Sequence, residues 1–313
     1  MPRANADTDE QILATTQSAN QAAPHPCIGR GFQKARISNM STLFDVRPVA
    51  PAAGYIGGKR NLARTIVPII DATPHELFAD TFVGMGGIFL RRRRRPKVEV
   101  INDASGDVAN FFRVLQEHHA YLIDALQGRV ASRAEFDRLR GQDPTRLTDI
   151  QRAVRFLYLQ RLGFGGKVSG RVFGVDPAQG ARFDFRKLEP LLAAIQERLY
   201  GVWIEQLDFA AFLSRWDRPN ALFYLDPPYW GSEDDYGAEL FCRADFERLS
   251  AALRQLRGKF LMSINDRPEA RACFAGFHQL EVTTTYSIAT AAIGAQKGVR
   301  ELLISNYRLP DAG

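Results

Sequence analysis

The chain has 313 residues, 45% hydrophobic and 24% charged, which is enough apolar material to bury a full core and argues against a disordered protein. No apolar run approaches the roughly 18 residues that cross a bilayer, and the N-terminus lacks a charged-then-apolar signal, so membrane and secreted classes are disfavoured and a cytoplasmic location is expected. A formal net charge of +6 and a pI near 9.3 suit a polyanionic partner, because Lys and Arg release counterions when they bind phosphates.

Residues 1–48 are rich in Ala, Gln, Asn and Ser, lack sustained periodicity, and carry breakers at Pro26, Gly29 and Gly31, so a disordered extension is expected there. Met40 stands just before the periodic region and is a candidate translation start, a point that the intact mass of the native protein tests. From Tyr55 onward strands and helices alternate: a helix over 61–70, a strand over 77–82, a glycine turn opening a second helix, a strand over 98–101, and helical faces over 107–115 and 121–126. This is a βαβ unit. The arginines Arg91, Arg92, Arg93, Arg94 and Arg95 read as the solvated end of the helix after the glycine turn, complementing its dipole.

Residues 128–190 are rich in Arg and Gly and hold one clear helix, over 150–161; they read as an insertion. Strands return at 202–205, 222–225, 260–264, 280–286 and 301–305, with an amphipathic helix over 244–257, and the last two strands look like a hairpin. The expected architecture is α/β, with a seven-stranded, mostly parallel, Rossmann-like sheet and an edge β-hairpin. Its main domain spans 49–127 and 191–313, and the insertion spans 128–190. Trp203 and Trp216 are expected in the core. Cys27, Cys242 and Cys273 are far apart, with no CxxC pair and no clustered histidines, so reduced thiols and no metal are expected.

At Asp80-Thr81-Phe82-Val83-Gly84-Met85-Gly86-Gly87 a strand ends in a glycine turn, which lets a nucleotide-like ligand lie against the backbone where a Cβ would collide. The next strand ends at Asn102-Asp103, where a carboxylate could accept from both ribose hydroxyls of a nucleoside. The turn lacks the third glycine of the dinucleotide fingerprint, and no GKS or GKT follows, so a cofactor without phosphates fits better. A tight αβ turn with Asp103 capping a helix remains open on these residues alone.

Residues 221–225 form an apolar strand that runs into Asp226-Pro227-Pro228-Tyr229-Trp230. Two prolines cannot continue a ladder. They stiffen a loop at the strand's carboxyl end, leaving a carboxylate, the Pro227 carbonyl and two aromatic rings where α/β ligands bind. That set suits a planar amine: Asp226 and the Pro227 carbonyl can accept its two hydrogens, and Tyr229 can stack on its ring.

These residues in this order resemble the Dam-type N6-adenine DNA methyltransferases. Tyr55-Ile56-Gly57-Gly58-Lys59 looks like the family's N-terminal motif, in which an aromatic and a lysine close over the cofactor. Asp80 with Phe82, Gly84 and Gly86 looks like the loop that holds methionine, Ile101-Asn102-Asp103 like the ribose motif, and Leu207-Asp208-Phe209 like the pair that holds the adenine of the cofactor. The resemblance runs from about Tyr55 to Asn306. It implies S-adenosylmethionine as cofactor and double-stranded DNA as substrate. It also implies catalysis by Asp226, Pro227, Pro228 and Tyr229 on a base flipped out of the duplex, with no metal, in a monomer or weak dimer of orphan or phage type. Thr81 stands where many relatives have Pro. Gly165 stands where Asn is usual, which leaves the recognition sequence open.

The insertion interleaves basic groups with phenylalanines, and Arg161, Phe164, Lys167 and Arg171 are its candidate DNA contacts, with 163–174 expected as a mobile loop that orders on DNA. Glu233, Asp234 and Asp235 read as an exposed acidic loop. The alternatives are an enzyme acting on the N4 amine of cytosine, one acting on RNA, and a non-catalytic DNA-binding relative.

Overall fold

Leu77–Asp80 and Ala221–Leu225 are buried at every position, as only strands covered on both faces can be. The computed structural model describes residues 43–175, 178, 180–231, 240–285 and 298–309. Its strands are β1 (Phe44–Asp45), β2 (Leu77–Asp80), β3 (Arg94–Arg95), β4 (Val98–Asn102), β5 (Val202–Glu205), β6 (Ala221–Leu225), β7 (Lys259–Asn265), β8 (His278–Thr285) and β9 (Gly298–Ser305). Seven of them make one sheet in the order β5-β4-β2-β6-β7-β9-β8. The first five in that order run parallel, and the hairpin of β8 and β9 closes the edge through antiparallel pairing of β9 with β7. This is the expected Rossmann-like sheet.

Alternation along the strands divides the core into two layers. Phe78, Ile101, Leu222, Tyr224 and Leu303 face α1 (Ala63–Ala72), α2 (Gly106–Glu117), α3 (His119–Leu126), α4 (Arg133–Arg140), α5 (Asp149–Leu162) and α6 (Phe185–Leu199). Ala79, Val100, Phe223, Met262 and Ile304 face α7 (Phe209–Trp216), α8 (Asp245–Arg254) and α9 (Pro268–Cys273). The helices of the insertion share the first of these layers. In α5, a Thr148–Gln151 capping box starts a helix that buries Phe156, Leu157, Tyr158 and Leu159, and Phe156 meets Phe111 of α2 with ring centres 6.0 Å apart.

Three expectations differ from the structure. No α-helix follows the glycine turn: one 3-10 turn at Phe89–Arg91 leads directly into β3, which pairs with β1. The reason is Arg92, fully buried, whose Nη1 lies 3.0 Å from Glu99 Oε1 and whose Nη2 meets His75 Nε2 at 3.1 Å. Arg198 closes the same carboxylate from the other side with two contacts of 2.7 Å, so the arginine run is partly an interior ion pair and not a solvated helix end. Trp203 is 62% exposed because β5 is the edge strand, and its ring lies against that of Trp216 at the rim. The extension expected over 1–48 already contains β1 at its end, while residues 1–42, with Met40 and Cys27, lie outside the described residues, as do Glu233, Asp234 and Asp235. No helix among the described residues is long and apolar enough to cross a membrane.

The chain leaves β2 outward to β4 and β5, then returns on the other side to β6 and β7. The strand order therefore reverses between β2 and β6, and the carboxyl ends of those strands frame the crevice in which α/β sheets bind ligands.

Candidate active site

A cleft of about 1570 Å³ opens at this crevice. Register sets its floor: Asp80 ends β2 opposite Tyr224 of β6 and Ile101 of β4, so Asp226 and Asp103 each follow the end of a neighbouring strand. All three aspartates line the cleft. Burial pushes the carboxyls of Asp103 and Asp226 up to about 6. Asp80 is raised well above its ordinary value, by burial first and then by the charges of Asp226 and Asp103, and its Oδ1 is buried without a hydrogen-bond partner. A pocket whose acids repel one another and hold an orphaned oxygen favours a cationic ligand.

Each acid has its own local support. Both oxygens of Asp103 accept backbone N–H groups, from Gly84 and Ser105, each at 2.9 Å. That ties the ribose candidate to the glycine turn. Its neighbour Asn102 donates to the carbonyls of Thr81 and Leu207 and accepts from Leu207 N at 2.9 Å, so one amide joins three loops. Gly84 has φ +50, and a Cβ there would lie 2.9 Å from the Tyr55 ring, so glycine is what lets Tyr55 close over the turn.

The Lys59 ammonium, 2% exposed, lies 2.7 Å from Asp226 Oδ1, donates to Gly57 O at 2.9 Å, and stands 4.4 Å from the centre of the Tyr229 ring. Behind Asp226, Ser263 donates to Oδ1 at 3.2 Å and shares a 2.7 Å hydrogen bond with the Tyr224 hydroxyl. Two segments far apart in sequence, the N-terminal motif and the proline loop, thus meet on one carboxylate.

Of the residues singled out from sequence, Tyr55, Lys59, Asp80, Phe82, Gly84, Asp103, Asp226 and Pro228 line the cleft, and so does Arg161. Pro227 and Tyr229 stand beside it. Gly86 serves packing: at φ +78 a Cβ would strike Leu90 at 2.8 Å. Asp208 caps α7 through Ala210 N and pairs with Arg248 at 2.8 Å, while Phe209 is buried behind Phe82 and Phe241. Phe241 lines the cleft and carried no sequence signal, being a lone aromatic after the proline loop.

The insertion candidates divide by exposure. Phe164 is 55% exposed and Lys167 is exposed, on a loop closed by hydrogen bonds of 2.8 Å from Phe164 N to Val172 O and from Gly174 N to Leu162 O. Arg171 is buried and donates to Gln160 Oε1 at 3.1 Å, and Arg161 is spent on the carbonyls of Ala52 and Arg182. Gln160 in turn donates to Gly54 O and Gly166 O, and Ile56 N also bonds Gly166 O. The start of the insertion loop is therefore fastened to the segment that carries Tyr55 and Lys59. Among the described residues no group of His, Cys, Asp or Glu could hold a metal ion.

The model of the D12 class N6 adenine-specific DNA methyltransferases matches residues 55–288. The type II methyltransferase M1.LlaDCHI of Lactococcus lactis subsp. cremoris is 26% identical over 277 residues, covering 82% of this chain and 95% of the relative. The type II methyltransferase M.CviBI of Paramecium bursaria Chlorella virus NC1A is 22% identical over 264 residues, covering 82% of this chain and 99% of the relative. Among solved structures, a precorrin 8W decarboxylase from Methanobacterium thermoautotrophicum superimposes with a TM-score of 0.33 at 9% identity, over 78% of this chain and 88% of that one, a likeness too weak to inform function.

Proposed function

This chain belongs to the D12 class of N6 adenine-specific DNA methyltransferases, and we propose that it methylates the N6 amine of an adenine flipped out of duplex DNA, with S-adenosylmethionine as the donor. The observation that carries the reading is the meeting of Asp226, Lys59 and Tyr229 beside a pocket of buried acids. S-adenosylmethionine supplies an electrophilic methyl group on a cationic sulfur, and its charges suit Asp80, the orphaned acid of the floor. Asp103 accepts from the ribose in this reading, with Phe82 and Phe241 as an apolar wall backed by Phe209. Tyr55, fitted over Gly84, closes the methionine end.

Asp226 acts as acceptor for the target amine, with the Pro227 carbonyl as second acceptor, so that the nitrogen lone pair turns out of the ring toward the methyl carbon. Bound in the cleft, S-adenosylmethionine would supply the methyl group and depart as a neutral thioether, and the proton given up by the amine would pass to the Asp226 carboxylate that accepts its hydrogen bond. No covalent enzyme intermediate is needed. Tyr229 stacks on the extruded base, which offsets part of the few kcal/mol of unstacking. Phe164 and Lys167 are the DNA contacts favoured by their exposure, whereas Arg161 and Arg171 support the loop that presents them.

The test is incubation of the protein with unmethylated duplex DNA and labelled S-adenosylmethionine, then nucleoside digestion and mass spectrometry. N6-methyladenine supports the reading; N4-methylcytosine overturns the base, and no product despite cofactor binding overturns the DNA substrate.

A further inference from the structure

The downstream half of the proline loop is held by two residues that face each other across the hairpin edge of the sheet. Asn265 ends β7 and pairs with Glu301 of β9 in the antiparallel ladder. The Asn265 side chain grips Trp230 by its backbone, with Oδ1 accepting from N at 2.9 Å and Nδ2 donating to O at 3.0 Å. Glu301 accepts a hydrogen bond from the Tyr229 hydroxyl, and the Trp230 ring stacks on Phe246 with centres 4.3 Å apart.

Glu301 is fully buried and is followed along β9 by Leu302, Leu303 and Ile304, all at 0% exposure. A carboxyl in such a strand is costly unless it has a partner, and an apolar residue would serve packing alone. The Tyr229 hydroxyl gives it one. A tyrosine fixed only at its Cα can swing about two side-chain torsions; one whose hydroxyl is tethered and whose next residue is clamped at both backbone atoms presents its ring in one plane.

We propose that Asn265 and Glu301 are positioning residues that fix the Tyr229 ring as the platform for the target base. The proposal rests on the reading given under Proposed function and deepens it. Neither residue lines the cleft: Asn265 acts through the loop, and Glu301 acts through the Tyr229 hydroxyl while its charge also raises the Asp226 carboxyl. Misplacing a reacting group by about 1 Å can cost on the order of a hundredfold in rate, so loss of the tether lowers kcat by about tenfold to a hundredfold. The KM and Kd for S-adenosylmethionine stay near wild type, because Tyr229 stands beside the cleft floor and does not line it.

The experiment measures kcat, cofactor KM and cofactor Kd on unmethylated DNA for Tyr229→Phe, Glu301→Leu, Asn265→Ala and the Tyr229→Phe/Glu301→Leu double variant, with Glu301→Gln as the conservative replacement. If Glu301 acts through the hydroxyl, the double variant is no worse than the poorer single, and Glu301→Gln restores most of the rate. Wild-type kcat in Tyr229→Phe, or losses that multiply in the double variant, overturns the proposal. Tyr229→Phe removes one oxygen atom and decides the matter even where Glu301→Leu fails to fold. Wild-type protein that forms no N6-methyladenine overturns the functional reading itself, whereas an active wild type with active variants overturns the clamp alone.

Discussion

The Lys59 ammonium lies 2.7 Å from Oδ1 of Asp226, and the two residues are 167 positions apart in the chain. Burial pushes the Asp226 carboxyl up to about 6, and the Lys59 charge is what holds it from rising further, against the opposing charge of Glu301. An acceptor for the target amine must be ionised. The rate is therefore expected to fall as pH drops through about 6 and to be level just above it. Lys59→Met removes the lowering charge and should move this acid limb to higher pH. Initial rates across pH for the two proteins check this, and an unmoved limb counts against the pairing. Asp226→Ala should abolish methyl transfer while calorimetry still detects cofactor binding; an active Asp226→Ala protein would sink the assignment.

Gly84→Ala places a methyl group 2.9 Å from the Tyr55 ring in a backbone conformation of φ +50. Left-handed geometry costs a non-glycine residue about 1–2 kcal/mol, and the displaced ring no longer closes the turn. Cofactor Kd is expected to rise about tenfold or more, since 1.4 kcal/mol is a factor of ten. A Kd within twofold of wild type would mean that Tyr55 does not contribute to binding.

Arg171 and Lys167 share a loop and should behave differently. Lys167 is exposed, so Lys167→Ala should lower the slope of log affinity against log salt for duplex DNA by about 1 if it meets a phosphate. Arg171 donates to Gln160 and to Lys167 O from a buried position, so Arg171→Ala should lower the melting temperature and leave the salt slope unchanged. Salt titrations by fluorescence anisotropy, paired with thermal melts, separate the two. A reduced slope in the Arg171 variant would place its guanidinium on the DNA.

Glu99 is enclosed by Arg92 and Arg198 with contacts of 3.0 and 2.7 Å, and neither it nor Arg92 has any exposed side-chain surface. Glu99→Gln keeps the shape and removes the charge, leaving the interior Arg198 guanidinium without this anion and Arg92 with the longer contact of 3.6 Å to Asp71. A loss of about 3–5 kcal/mol in unfolding free energy is expected from urea titration. Because this network lies toward the amino end of the strands, away from the cleft, the turnover of the folded variant should match wild type. A loss below about 1 kcal/mol would show that the arginines find other partners.

Much of the site was legible because its signals are local. A glycine turn after an apolar strand, a carboxylate at the end of the next strand and two prolines after a third each constrain the backbone within a few residues, and Asp80, Asp103 and Asp226 meet as those signals imply. The arginines were not legible. Arg92 read as part of a solvated helix end and Arg171 as a DNA contact, and both are interior, because a long side chain goes where its partner is and the Gln160 partner of Arg171 lies on another element. Asp208 and Phe209 carry a motif that suggests direct contact, yet a helix cap and a packed ring account for where they sit.

By itself the sequence determined the fold class, the strand ends that line the cleft and the proline loop beside them, since apolar period, glycine and proline act on the backbone where they stand. Only the tertiary structure decided which side chains meet there. It brought Lys59 to Asp226 and set Glu301 against Tyr229, 72 positions away. It also fastened the loop holding Phe164 and Lys167 to the segment of Tyr55 through Gln160. Contacts of this kind depend on sheet order and register, which link residues remote in sequence and leave no periodicity for a local reading to find.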